Sequence, residues 1–258
     1  MWDSKILFIA PVALAAALAT PASASSMGNW GTLGANGVVT ASPDGGTYGY
    51  VSTDGGVEGA GSLPGVGGTT GSVYESSSFF ANAGSMLQYY FNYVTSDGAG
   101  YADYAWAALR PETGDDIILF TARTTTSGDT VPGFDLPGLA PGVVLDPGST
   151  PIIGGAPTWS ALGGSSGTCW SAGCGYTGWI QANYSIVDEG NYTLVFGVTN
   201  WSDSGYQSGL AFDGLTIDDE PIDPTPPVPE PATWAMMIGG FALVGSTMRR
   251  RKLRVAFA

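Results

Sequence analysis

In the run Leu87-Gln88-Tyr89-Tyr90-Phe91-Asn92-Tyr93-Val94, every odd position is large and apolar. Side chains of a strand point alternately to its two faces, so this run has one face built for a core. Asn191-Tyr192-Thr193-Leu194-Val195-Phe196-Gly197-Val198 alternates in the same way. Asp116 to Thr121 is near-continuously apolar, as suits a central strand. In Asp103 to Leu109 the aromatics fall on one phase. In Gly209-Leu210-Ala211-Phe212-Asp213-Gly214-Leu215-Thr216-Ile217 the apolar phase slips at Asp213-Gly214, which predicts a β-bulge. Val38-Val39-Thr40 and Tyr48-Gly49-Tyr50-Val51 read as further strands. Ser96-Asp97-Gly98, Asp44-Gly45-Gly46 and Asp54-Gly55-Gly56 read as the turns between strands. The chain has 40 glycines in 258 residues, which favours short strands and tight turns over helices. The expected fold is all-β: an antiparallel β-sandwich, jelly-roll-like, over residues 25–217.

Inside that span, residues 124–177 form a long Gly/Pro/Ser/Thr-rich stretch with few strand signals beyond Gly142 to Leu145. A connection this long in a compact domain is usually functional. It carries Trp159, Trp170, and the two cysteines of the chain, Cys169 and Cys174. An exported chain with a single C-x4-C pair is expected to close it as a disulfide.

Export is read from both flanks. Ile6 to Ala19 is apolar, and Ala22-Ser23-Ala24 is a small-x-small cleavage signal, so residues 1–24 read as a signal peptide. Ala232 to Met248 passes without a charge, and Arg249, Arg250, Arg251 and Lys252 follow at once. Seventeen residues is the lower limit of a bilayer-crossing helix, and the cations hold their side in the cytoplasm. Residues 232–248 therefore read as one transmembrane helix with a stop-transfer tail, 249–254. Residues 218–228, DDEPIDPTPPV, form an acidic, Pro-rich and extended spacer.

Pro229-Glu230-Pro231 lacks two backbone donors and fixes two φ angles, so it stays outside the helix that follows. With Trp234-Ala235, the uncharged span and the arginine cluster, residues 229–258 resemble the PEP-CTERM sorting signal of Gram-negative bacteria, in its PEPxxWA form. The resemblance implies recognition near the tripeptide by exosortase, a membrane protease-transpeptidase. Release or transfer to the cell surface would follow, in company with exopolysaccharide. Before processing the protein would be anchored in the inner membrane; afterwards it would lie in the periplasm or outside the cell. The ectodomain itself resembles, through strand rhythm and its closing GLAFDGLTI, the jelly-roll modules that bind carbohydrate.

Charge narrows the partners. Residues 25–231 hold two cations, Arg110 and Arg123, against 21 acidic residues, a net charge of about −19. Such a surface repels nucleic acid and acidic polysaccharide, and fits neutral glycan, divalent cations or solubility alone. The chain has no histidine. Gly163-Gly164-Ser165-Ser166-Gly167 matches the nucleophile pattern G-x-S-x-G but has no histidine base to serve it. Catalytic residues are not expected; a carboxylate-based glycan enzyme and a purely structural matrix protein are the alternatives to a binding protein. No cofactor is required, though a structural Ca2+ is conceivable at Asp213, Asp218 and Asp219 around the closing strand. Trp159 and Trp170 are the expected ligand contacts, since sugar rings stack their C–H faces on indoles.

Overall fold

A computed structural model describes residues 24–222. The expected signal peptide, Pro229-Glu230-Pro231, Trp234-Ala235, the 232–248 span and the basic tail lie outside the described residues, as does most of the spacer. Among the described residues no helix is long and apolar enough to cross a membrane.

The first strands are β1 (Ser25–Met27), β2 (Asn29–Leu33), β3 (Tyr48–Ser52), β4 (Val57–Glu58), β5 (Thr70–Glu75) and β6 (Phe79–Ala81). Three longer ones follow: β7 (Met86–Thr95), β8 (Tyr104–Pro111) and β9 (Ile117–Arg123). Short pieces come next: β10 (Asp129–Val131), β11 (Val143–Asp146), β12 (Thr150–Pro151), β13 (Ile153–Gly154) and β14 (Gly175–Tyr176). A 3-10 helix, Ser160–Ser165, lies between β13 and β14. The chain closes with β15 (Ile180–Ser185), β16 (Gly190–Thr199), β17 (Ser208–Ile217) and β18 (Glu220–Pro221).

Two large antiparallel sheets result, beside a small one of β10 and β12. One runs β1-β5-β16-β8-β9, with β4 on β5 and β6 on β16. The other runs β11-β15-β7-β17-β3-β2, with β14 on β7 and β18 on β17. Their facing sides share one core. Leu87, Tyr89, Phe91 and Tyr93, the odd positions of β7, are all buried there. Phe91 of β7 stacks on Phe120 of β9 at 3.8 Å between centroids, and Phe212 of β17 on Phe196 of β16 at 4.0 Å. Ala105 and Ala107 of β8 point into the same layer and leave room for these rings. The slip at Asp213-Gly214 is a register shift of β17 against β7, with Gly214 at φ +61°.

Two expectations change, and the aromatics of one strand, which do share a phase, take the outer side. Val38-Val39-Thr40 is not a strand; it makes a single bridge, Asn36 to Val39, and β2 takes the edge place beside β3. The aromatics of β8, Tyr104 and Trp106, face away from the shared core and form a second cluster with Leu63, Val195 and Trp201. Finally, the stretch 124–177 is not a free loop. It folds back over the outer side of the β7/β17/β3 sheet, where Trp159, Ala161 and Leu162 bury against Tyr48, Val94 and Ala211.

Candidate functional site

Trp159 and Trp170, both expected at a ligand surface, part company. Trp159 is 1% exposed. Its Nε1 donates to Tyr48 Oη at 3.0 Å, and its ring meets Tyr50 edge-on at 5.9 Å. With its faces covered it cannot stack on a sugar, so the ligand role expected of Trp159 is corrected to a packing role. Trp170 is 51% exposed. Its ring lies 5.2 Å from Tyr206 and 6.3 Å from Tyr101, edge-on to the latter.

The backbone fixes this patch. Cys169 and Cys174 are joined, with Cα atoms 5.8 Å apart, and close a small loop around Trp170. A loop of that size contributes about 2 kcal/mol by chain entropy. It docks on the turn after β7: Trp170 N–H donates to Ser96 O at 3.0 Å, and Ala99 N–H to Ala172 O at 3.0 Å. Gly98 is needed for the approach, since a Cβ there would come within 2.7 Å of Ser171 Cβ. From the other side, Ser96 N–H and its hydroxyl both donate to Gln207 O, tying in the loop that carries Tyr206.

Beneath the aromatics lie carboxylates that the sequence did not single out. Asp103, 0% exposed, accepts Trp201 N–H at 2.8 Å and Ser208 Oγ–H at 2.7 Å, so it ties the two sheets together at this end. Burial pushes its carboxyl well above the ordinary range, against those two bonds. Burial likewise pushes Asp97 up to about 6, opposed by the Gly98 N–H and helped by the charge of Asp203. A carboxyl with a raised pKa holds its proton more tightly folded than unfolded. Stability is then greatest below the unfolded value and declines as pH rises through the folded one. Asp97 alone should thus raise the melting temperature by about 3–5 °C between pH 7 and pH 5 in metal-free buffer. Melting curves across that range check it; a melting temperature that falls on acidification means Asp97 is ionised and well paired in the folded protein.

The acids expected to hold calcium are not one site. Asp213, at the bulge, accepts a hydrogen bond from the Ser42 hydroxyl. Asp218 Oδ1 accepts Met86 N–H at 2.8 Å, which holds its carboxyl below the usual range. Asp218 and Asp219 have φ +50° and +66° and form the two-residue turn from β17 to β18. Turn geometry, for which Asp is well suited, is what places them there. Among the described residues no three of His, Cys, Asp and Glu are grouped to share a metal. Ser165, the centre of GGSSG, accepts Gln207 N–H at 3.2 Å. A separate cavity of about 360 Å3 is lined by Trp106, Arg110 and Glu75. Its Arg110 is held by Glu75 at 2.5 Å and Asp116 at 2.8 Å.

No curated protein matches the chain. Among solved structures, a cleaved adhesin domain of Lys-gingipain from Porphyromonas gingivalis is similar at 11% identity, over 76% of this chain and 97% of that one. Its TM-score is 0.31, at which the likeness carries no argument. Residues 227–252, covering Pro229-Glu230-Pro231, Trp234-Ala235 and the arginines, match the family described as the PEP-CTERM protein-sorting motif. The chain therefore carries that sorting signal, which implies export and processing by an exosortase.

Proposed function

We propose that the protein is a non-enzymatic surface or matrix component whose jelly-roll-like ectodomain, residues 25–217, binds neutral glycan through Trp170, Tyr206 and Tyr101. In this reading residues 1–24 are removed on export. The spacer 218–228 holds the domain off the membrane, and the 232–248 helix anchors it there until exosortase acts. Association with exopolysaccharide follows from that delivery. The observation that carries the reading is a half-exposed indole set among tyrosines on a disulfide-closed loop. A rigid, amphipathic aromatic surface of this kind is what a sugar's C–H face stacks on. The high negative charge selects uncharged polymers over acidic ones. Burial of Asp97 and Asp103 under the loops favours binding over cleavage, since a general acid or base must reach its substrate.

The full-length protein in detergent, titrated calorimetrically with neutral oligosaccharides, tests this. Binding should be weak. Trp170→Ala should weaken it roughly two- to tenfold, one aromatic contact's worth. The variant should melt within about 2 °C of wild type, because its side chain is exposed. If no neutral oligosaccharide binds, the protein is a structural matrix component instead.

A further inference from the structure

At the end of the molecule under Trp170, two buried oxygens lack a donor. Asp97 is 1% exposed; its Oδ1 takes Gly98 N–H at 2.7 Å, but its Oδ2 has no hydrogen-bond partner. Asn200 is 0% exposed; its Nδ2 donates to Thr70 Oγ1 at 3.0 Å, but its Oδ1 has no partner either. A buried acceptor left unmade costs about 1–3 kcal/mol, and an ionised one more. The two belong to one knot of structure. Ser96, beside Asp97, bonds twice to Gln207 O, and the Gln207 side chain meets the Asn200 amide at 3.5 Å. Trp201 N–H, beside Asn200, donates to Asp103.

The surroundings are acidic. Asp97, Asp103 and Asp203 lie near enough to repel one another. Of the two cations of the described residues one lies elsewhere, and the other, Arg123, stands beside this end without a bond to either oxygen. Arg110 is bound by Glu75 and Asp116. Arg123 donates to Ala102 O and lies over the Trp201 ring at 4.8 Å. Buried oxygen acceptors without donors, among acidic side chains and with no basic side chain bonded to them, are the ligand set of a hard cation. Asp103 has both oxygens occupied by donors, so it is not free to coordinate.

We propose that Asp97 Oδ2 and Asn200 Oδ1 bind a divalent cation of the calcium type, with Asp203 supplying field. The site is one carboxylate and one amide, with backbone carbonyls and water to complete it, so it should be weak, in the range of extracellular calcium modules. The ion would join the turn after β7 to the loop after β16, which carry the docking points of Trp170 and Tyr206. The site is independent of whether that patch binds sugar.

The test is thermal melting of the full-length protein in detergent, stripped with chelator and titrated with Ca2+ or Mg2+. Ca2+ at 10 mM should raise the melting temperature by roughly 3–10 °C, and Mg2+ should do much less. Tb3+ luminescence sensitised by Trp201 should follow the same titration. The isosteric Asp97→Asn should lose most of the calcium response, while Asp213→Asn keeps it. Should Asp97→Asn not fold, Asp203→Asn, at an exposed position, should weaken the calcium response severalfold. No calcium response in the wild type, or one left unchanged in the Asp97→Asn and Asp203→Asn proteins, overturns the site.

Discussion

Trp159→Ala is expected to lower the melting temperature by about 6–20 °C. Truncating a buried tryptophan costs about 3–5 kcal/mol, and each kcal/mol moves the midpoint of a domain of this size by about 2–4 °C. The indole packs beside Tyr48, Tyr50 and Gly209, and its removal would also leave the Tyr48 hydroxyl without its donor. Loss should spread further than the cavity, because Trp159 is the largest of the side chains by which residues 159–162 pack on the outer side of the sheet. Thermal denaturation of Trp159→Ala beside Trp170→Ala gives the contrast: a large fall for the first, almost none for the second. Equal, small effects would mean that the segment contributes little to holding the sheet.

Replacing both Pro229 and Pro231 with alanine is expected to abolish processing of the tail. Proline has a fixed φ and no backbone N–H, so the two that flank Glu230 disfavour a helical run through the tripeptide. Alanine, the best helix former, removes both constraints. The variant should accumulate at full length in the membrane fraction, read by the mass of the protein and by a C-terminal epitope. Cleavage at the wild-type rate would show that recognition does not depend on the two prolines.

The sandwich strands were legible because β7, β16 and β17 each give large side chains to the shared core at alternate positions, which writes period two into the sequence. The break at Asp213-Gly214 was legible for the same reason. β2 was not: Asn29-Trp30-Gly31-Thr32-Leu33 has no run of buried residues, since it is an edge strand with one neighbour. The aromatic phase of β8 gave the strand but not its facing, because both its sides are covered, one by the opposite sheet and one by Leu63 and its neighbours. The disulfide followed from cysteine count alone. Trp159 and Trp170 looked alike in the sequence, both set among Gly, Pro and Ser; which is buried depends on where the segment folds back, and no local pattern encodes that. Asp97 and Asn200 were invisible as a pair, for each follows the end of a long strand, β7 and β16, and those strands belong to different sheets.

The place of β17 sets an order on events. It is the last long strand of the described residues, yet it sits in the interior of its sheet, bonded to β7 on one flank and β3 on the other. Until Ser208 to Ile217 arrives, β3 and β7 cannot be joined, and Phe196 lacks the ring that covers it. A chain threaded outward from its N-terminus thus stays pliable for nearly its whole length. It becomes a finished domain only as the segment just ahead of the sorting motif emerges. Completion of the cargo and presentation of its address fall at the same moment. A polypeptide interrupted before Ser208 would reach the far side with two open strand flanks and an uncovered aromatic layer, a state that invites aggregation and proteolysis.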